Sequence, residues 1–221
     1  MTTGTVSLNQ LVDWLARFRE LVTDQQSYLT ELDSAIGDAD HGSNMTRGMT
    51  AVMEKIGALQ SAGTPAAAVD ELFKSVGMTL VTSVGGASGP LYGTFFLRFG
   101  MTAGAVTSLD GAALSAALRA GLGGVVARGK AEAGDKTMFD AMAPALDALD
   151  ASLASGGDCA AAASAAFIAA EAGRDATEPL TARKGRASYL GERSAGHIDP
   201  GATSTALLFE ALTGAIPQAP S

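Results

Sequence analysis

The residues of this sequence best suited to metal binding or catalysis are concentrated in and beside the segment IGDADHGSNMTRG, which begins at Ile36. Asp33, Asp38 and Asp40 are spaced i, i+5, i+7, with Gly37 between the first two. If a helix ends at Gly37, the chain folds back and brings the three carboxylates to one point. Carboxylate oxygens favour hard cations over zinc, and the lack of the EF-hand spacing weakens a calcium site. The pattern predicts a magnesium site, and the alternative is an ordinary polar turn between two helices.

Three further segments are rich in glycine or charge: SVGGASGPLYG, RGKAEAGDKTM and TARKGRASYLGERSAGHIDPGATST. The first fits neither common phosphate-binding fingerprint, yet its glycines would let backbone N–H groups approach an anion at a helix start. Its alternative interpretation is close helix packing. The second segment resembles a P-loop, but no strand precedes it. We therefore interpret Lys136 as an ordinary surface lysine and Met138 as a core residue or a surface for a nucleotide base.

The third segment carries a cluster of cations followed by polar and turn residues. In an acidic protein this cluster predicts a phosphate-facing lid, because arginine binds phosphate through two hydrogen bonds at once. The alternative is a solvated run of charges. His41 and His197, the two histidines of the chain, lie in the first and the last of the four segments. The cations are Arg183, Lys184, Arg186 and Arg193, and Asp199, Pro200 and Gly201 follow them.

The elements that must position these segments have the apolar periodicity of helices. Eight such stretches with short loops predict an all-α, up-and-down antiparallel bundle or barrel, in a single domain over residues 1–221. Gly37 would end the first helix and Asn44 would cap the second. Alternate loops then lie at the same end, so the four polar segments meet there. The helices are predicted at about 8–32, 44–59, 65–82, from 90 onward, 110–126, 137–153, 158–172 and 202–215, and residues 217–221 are expected to be frayed.

Composition narrows the function classes. The net charge of −8 and the sequence pI of about 4.7 argue against non-specific nucleic-acid binding. An acidic protein that handles phosphates must supply cations locally. No apolar run approaches the ~20 residues of a membrane span, and no signal peptide is apparent. Because Cys159 is the single cysteine, we expect a cytoplasmic protein without disulfides.

Together, GDADHGSNMTRG, SVGGASGPLYGTFF, RGKAEAGDKTM and ARKGRASYLGERSAGHIDPGATS resemble the ADP-binding L subunit of bacterial dihydroxyacetone kinases, over essentially the whole chain. The resemblance implies a closed barrel of eight antiparallel amphipathic helices with the nucleotide at one end. It implies that Asp33, Asp38 and Asp40 hold two Mg²⁺ ions that bridge the phosphates of ADP or ATP. The implied nucleotide contacts are His41, Gly42, Ser43, Asn44, Ala87, Ser88, Gly129, Met138, Arg186, Asp199, Pro200 and Gly201.

The resemblance also implies a function in phosphoryl transfer. Bound ADP would act as a coenzyme that a phosphohistidine subunit, M, phosphorylates in place, and the phosphoryl group would pass to dihydroxyacetone on a K subunit. This chain would supply no general acid or base, and Arg186 would stabilise the phosphates. Two alternatives stay open: a component of an ATP-dependent kinase for another triose or a tetrulose, and a regulatory nucleotide-binding module. Subunits of this kind can also contact a transcriptional regulator.

Overall fold

A computed structural model describes residues 4–216 and is mostly helical, as predicted. The α-helices are α1 (Leu8–Asp24), α2 (Gln26–Ile36), α3 (His41–Ser61), α4 (Val69–Ser83), α5 (Ser88–Ala103), α6 (Gly111–Gly129), α7 (Met138–Ala154), α8 (Cys159–Asp175) and α9 (Pro200–Ala215). A 3-10 segment, Arg186–Ser194, lies between α8 and α9, and two short strands, β1 (Val6–Ser7) and β2 (Ser108–Leu109), form an antiparallel pair. The predicted frayed end, 217–221, lies outside the described residues.

The prediction that the first helix is continuous is wrong. The segment forms two helices that meet at Gln25, and the second continues to Ile36. The apolar pattern runs across this break, because Val22 before it and Leu29 after it are both buried. Gly37 does end α2, as predicted.

The predicted cap of the next helix is also wrong. The helix begins at His41, and Asp40 occupies the N-cap position without using its side chain as a cap. Asn44 is instead buried inside α3, where its side-chain oxygen accepts a hydrogen bond from Arg47. The carboxylate of Asp40 is therefore not occupied by a capping hydrogen bond.

The starts of the later helices follow from local side-chain caps. Asp110, Asp158 and Asp199 each accept a hydrogen bond from the backbone N–H three residues on, and Thr137 forms a capping box with Asp140. Such caps satisfy backbone donors that have no partner within the helix. Among the helix starts next to the loops described below, those of α7 and α9 are thus encoded locally.

The helices pack mainly on their neighbours in the chain, and α9 packs on α1, α7 and α8. Aromatic side chains fill part of the core: Phe73 and Phe99 have ring centroids 4.4 Å apart, and Trp14 meets Phe96 edge-on at 5.7 Å. The indole N–H of Trp14 donates to the Leu208 carbonyl oxygen at 2.8 Å and joins α1 to α9. No helix among the described residues combines the length and the apolar character that a membrane crossing needs.

Helices α4 and α5 approach each other closely through glycine. A Cβ atom at Gly77 would lie 2.7 Å from the carbonyl oxygen of Gly93, and one at Gly93 would lie 2.9 Å from that of Gly77. Real Cβ atoms do not come this near to a backbone oxygen, so larger residues would separate the two helices. The abundance of small residues thus serves close helix packing.

Candidate functional site

Four loops line one open cavity: those between α2 and α3, α4 and α5, α6 and α7, and α8 and α9. They are the four polar segments of the sequence. Of the predicted site residues, the cavity is lined by Asp33, Asp38, Asp40, His41, Ala87, Ser88, Met138, Arg186, Asp199, Pro200 and Gly201.

Four other predicted residues lie outside the lining: Gly42, Ser43, Asn44 and Gly129. A Cβ atom at Gly42 would lie 2.1 Å from the Gln26 carbonyl oxygen, so this glycine lets α3 pack on α2. The Ser43 hydroxyl donates to the Asp40 carbonyl oxygen at 2.9 Å, and Gly129 is the exposed last residue of α6. Nucleotide contacts at these four residues stay predictions.

Four helices begin at the cavity. The first turn of a helix has backbone N–H groups without a partner inside the helix, and the helix dipole places partial positive charge there. Such ends favour anions, phosphate among them. The first residues of α3, α5, α7 and α9 all line the cavity, and they are His41, Ser88, Met138 and Pro200.

Asp33 is buried against the turn that follows α2. Its Oδ2 accepts hydrogen bonds from the backbone N–H groups of Asp40, at 2.8 Å, and His41, at 3.1 Å. A Cβ atom at Gly37 would lie 2.0 Å from Asp33 Oδ1, so the turn can approach this carboxylate only with glycine there. Asp33 therefore folds the loop back on its own helix.

The loop brings the three carboxylates together. Asp33, Asp38 and Asp40 each place an oxygen within 4.8 Å of the others, and we call them the carboxylate cluster. Ala39, between the last two, has φ of 61°, a left-handed backbone that is uncommon for a residue with a Cβ atom. An all-oxygen cluster of this kind fits a hard divalent cation such as Mg²⁺.

A cation of the last loop reaches the carboxylate cluster. Arg186 Nε lies 3.0 Å from Asp38 Oδ2, although the two residues are far apart in the sequence and belong to the α8–α9 loop and the α2–α3 loop. Both side chains are open to solvent. The predicted lid cation thus stands beside the predicted metal ligands.

Behind the cluster, His41 begins a chain of buried hydrogen bonds. Its Nδ1 lies 3.1 Å from the Ser88 hydroxyl and its Nε2 lies 2.9 Å from the Ser204 hydroxyl. Ser204 lies 2.8 Å from the Tyr92 hydroxyl, which is 3.2 Å from that of Thr205. Burial lowers the pKa of His41 to about 4 and raises the pKa of Tyr92 to about 12, so both are neutral near pH 7.

Lys136 is not a surface lysine, and that interpretation of the sequence is wrong. It is 1% exposed, and its ammonium donates to the carbonyl oxygens of Thr177, at 2.7 Å, Glu178, at 3.3 Å, and His197. Burial lowers its pKa, although nearby acidic groups oppose the shift. His197 enters this arrangement through its backbone, while its side chain is exposed.

Asp199 is buried at the start of α9. Its Oδ2 accepts a hydrogen bond from Ala202 N at 2.7 Å, and its own N–H donates to the Thr177 hydroxyl at 3.0 Å. Burial raises the pKa of Asp199 to about 7, and the charge of Lys136 opposes this shift. A carboxyl with this pKa is about half protonated at neutral pH.

Sequence reasoning missed Lys136, Tyr92 and Ser204 as parts of the site. The only signal for Lys136 was its place in GDKT, directly before the Thr137 cap. Tyr92 and Ser204 lie in the glycine-rich and final segments that the sequence did single out. Their pairing spans 112 positions and depends on the fold.

Comparisons with known proteins show the family of this chain. Residues 35–214 match the family model of the DAK2 domain, so the chain is a DAK2-domain protein. The chain is 46% identical to "PEP-dependent dihydroxyacetone kinase, ADP-binding subunit DhaL" of Escherichia coli (strain K12), over 94% of this chain and 97% of that protein. It is 44% identical to the PTS-dependent counterpart of Lactococcus lactis subsp. lactis (strain IL1403), with the same coverage. The chain belongs to this family of ADP-binding DhaL subunits, which confirms the resemblance.

A solved structure supports the likeness in fold. The dihydroxyacetone kinase of C. freundii in complex with AMP-PNP and Mg²⁺ superimposes with a TM-score of 0.69 at 30% identity. The match covers 95% of this chain and 34% of that one, so the chain spans about a third of the larger kinase.

Proposed function

We propose that this chain is the ADP-binding, phosphoryl-transferring subunit of a phosphoenolpyruvate-dependent dihydroxyacetone kinase. One observation carries the proposal: the carboxylate cluster, Arg186 and four helix starts all meet at one cavity. The names of the relatives that match over nearly their whole length support it. In this proposal ADP is a bound coenzyme, phosphorylated in place by a phosphohistidine M subunit, and the phosphoryl group passes to dihydroxyacetone on a K subunit.

The carboxylate cluster would hold Mg²⁺, which we propose as two ions, and Mg²⁺ would neutralise charge on the phosphates. The similar C. freundii kinase, solved in complex with AMP-PNP and Mg²⁺, supports this assignment. Asp33 orients the cluster because it accepts two backbone hydrogen bonds and lies buried. Backbone N–H groups at the helix starts and the Arg186 guanidinium add fixed positive charge to the same place.

The nucleotide would be held by the lining residues. We assign His41, Ala87, Ser88 and Arg186 to the phosphate side, and Met138 to a surface on which the base packs. The further predicted contacts are Gly42, Ser43, Asn44, Gly129, Asp199, Pro200 and Gly201. His41 is held neutral and hydrogen-bonded at both nitrogens, so it positions groups and does not move a proton to the acceptor.

For the architecture we propose a closed barrel of eight antiparallel helices, in which α1 and α2 count as one, within a single domain. The packing of successive helices and of α9 on α1 supports this ring. The K and M subunits are the proposed partners, and contact with a transcriptional regulator stays a prediction.

A second candidate is a component of an ATP-dependent kinase for a tetrulose. The chain is 36% identical to "L-erythrulose 1-kinase" of Mycolicibacterium smegmatis, of which it spans 34%, and 35% identical to "D-erythrulose kinase" of the same strain, of which it spans 32%. The higher identity and near-complete coverage of the DhaL subunits favour the first function.

The test is to purify the chain, denature it and identify the released nucleotide. Near-stoichiometric ADP that survives gel filtration is expected for a coenzyme. The chain is then mixed with K and M subunits, phosphoenolpyruvate and the phosphotransferase proteins, and dihydroxyacetone phosphate is measured. A protein that carries no nucleotide, exchanges ATP freely and supports tetrulose phosphorylation with ATP would favour the second candidate.

A further inference from the structure

Lys136 is a buried cation whose donors are all used by backbone carbonyl groups of one loop. Its Nζ donates to the carbonyl oxygens of Thr177, at 2.7 Å, Glu178, at 3.3 Å, and His197. A lysine ammonium has three donors, so its hydrogen-bonding capacity is complete. Although Lys136 borders the cavity, it has no donor left for a phosphate.

These carbonyl groups lie at the two ends of the α8–α9 loop, residues 176–199. The ends are also hydrogen-bonded to each other: Gly196 N donates to the Glu178 carbonyl oxygen at 2.8 Å, and Asp199 N donates to the Thr177 hydroxyl at 3.0 Å. The loop is therefore closed at its base, and the base rests on the Lys136 ammonium.

The distal part of the loop has attachments of its own, among them the Arg186–Asp38 ion pair. Arg183 N donates to the Asp135 carbonyl oxygen at 3.0 Å, next to Lys136 in the chain. A small apolar cluster fixes the loop against Ile36 at the end of α2, and Arg186 lies within this part of the loop. The loop residues in this cluster are Ala182, Ala187 and Leu190.

We propose that Lys136 is a positioning residue that fixes the α8–α9 loop, and with it Arg186, over the cavity. This inference rests on the proposed nucleotide function and adds a residue to it. Removal of the ammonium would take a charge-assisted hydrogen bond from each of the three carbonyl groups, which is costly. The Glu178 oxygen would keep Gly196 N as a donor and the Thr177 oxygen would keep Leu180 N, so the His197 carbonyl group would be affected most. The loop base can regain hydrogen bonds by opening to water, and the helices around it need not change.

The experiment compares Lys136→Ala with Lys130→Ala in the full chain. Both lysines have left-handed φ angles, of 62° and 52°, but Lys130 is exposed at the end of α6. The rate of release of a fluorescent ADP analogue is measured with Mg²⁺ present. Hydrogen exchange is measured without nucleotide, so that it reports the loop even if the proposed function is wrong.

We expect Lys136→Ala to keep its helical circular dichroism, to release the analogue roughly tenfold faster or more, and to show faster exchange confined to residues 176–199. Lys130→Ala should match the wild type in both measurements. Ammonium ions should slow release from Lys136→Ala, because they supply three or more donors, whereas tetramethylammonium at equal ionic strength should not. Lys136→Arg should release the analogue at a rate between those of the wild type and Lys136→Ala, because the planar donors of arginine do not converge on three carbonyl groups.

Unchanged exchange in residues 176–199 of Lys136→Ala would overturn the proposal. Loss of its helical circular dichroism would overturn it too, because Lys136 would then hold the whole fold. Equal effects of ammonium and tetramethylammonium would also overturn it, because general charge and not donation would then matter. If the wild type binds no nucleotide, the proposed function fails while the exchange result still decides the role of Lys136 in the loop.

Discussion

Arg186 Nε and Asp38 Oδ2 lie 3.0 Å apart, so the α8–α9 loop and the carboxylate cluster are joined by an ion pair. The side chains are 66% and 36% exposed, and pairs this open to solvent contribute little to stability, about 0–1 kcal/mol. The ion pair matters because of its location in the site. It keeps a guanidinium beside the oxygens that are proposed to bind metal, where phosphates would also lie.

The first prediction concerns Asp38 itself. Asp38→Asn removes one charge from the carboxylate cluster and should abolish Mg²⁺-dependent retention of ADP while the helical circular dichroism spectrum stays intact. Asp13→Asn, at an exposed position on α1, is the matched control and should retain ADP like the wild type. Unchanged ADP retention by Asp38→Asn would refute the assignment of this carboxylate to the metal.

The second prediction uses the close approach at Gly37. In Gly37→Ala the new Cβ atom must displace the Asp33 carboxylate, and we expect Mg²⁺ affinity to fall by at least ~tenfold, the usual effect of disturbing ligand orientation. Gly57→Ala is the control because nothing lies within 4 Å of a Cβ atom there, inside α3. The control should raise the free energy of unfolding by ~0.5–1 kcal/mol. Calorimetric metal titration and urea unfolding measure the two effects; equal metal affinity in both variants would contradict this account of the loop.

The third prediction concerns the left-handed backbone of Ala39. Ala39→Gly should raise the free energy of unfolding by roughly 0.5–1 kcal/mol and keep metal affinity, because glycine adopts φ of 61° without strain. Ala39→Val should weaken metal binding, since a β-branched residue resists this conformation. Lys130→Gly relieves a similar backbone strain outside the carboxylate cluster, and there only stability should change. Tight metal binding by Ala39→Val would show that the cluster does not need this conformation.

The fourth prediction is a pH dependence caused by His41. Burial lowers its pKa to about 4, below the 6.5 of an unperturbed histidine. Between these values the unfolded chain binds a proton here and the folded chain does not, so stability is intact above pH 6.5 and is lost as the pH falls toward 4. From pH 7 to pH 5 this linkage lowers the free energy of unfolding by about 2 kcal/mol.

The measurement is urea unfolding of the metal-free protein at both pH values. His41→Gln should lose about 2 kcal/mol less than the wild type over this interval. His197→Gln changes the other histidine, which is exposed, and should keep the wild-type dependence. Identical pH dependence in all three proteins would mean that His41 titrates normally in the fold.

Much of the fold was predictable because its determinants are local. The caps at Asp110, Thr137 and Asp158 and the end of α2 at Gly37 lie within a few residues of the groups they satisfy. The break between α1 and α2 at Gln25 was not predictable, because the apolar pattern continues through it. Asn44 was misassigned because asparagine is a good cap by type, whereas its neighbour in space, Arg47, decides its role.

The candidate site was predictable where chemistry is carried by neighbours in the sequence. The aspartates lie within a span of eight residues, and their convergence needs only one turn. Lys136 is different, because its acceptors lie 41, 42 and 61 positions away and become visible only in the fold. A lysine in a charged loop looks the same in sequence whether it is buried or exposed.

The hydrogen bonds that run from Ser88 to Tyr92 also have a direction. A neutral imidazole carries a single proton, so one nitrogen of His41 donates and the other accepts. If Nε2 accepts, the Ser204 hydroxyl must donate its single hydrogen to His41. That hydroxyl then cannot donate to the Gly201 carbonyl oxygen, which lies 3.1 Å away. If Nε2 donates, the Ser204 hydroxyl can donate its hydrogen to the Gly201 carbonyl oxygen or to the Tyr92 hydroxyl. The tautomer that His41 adopts beside Ser88 therefore determines the hydrogen bonding of the first turn of α9, on the opposite side of the imidazole ring.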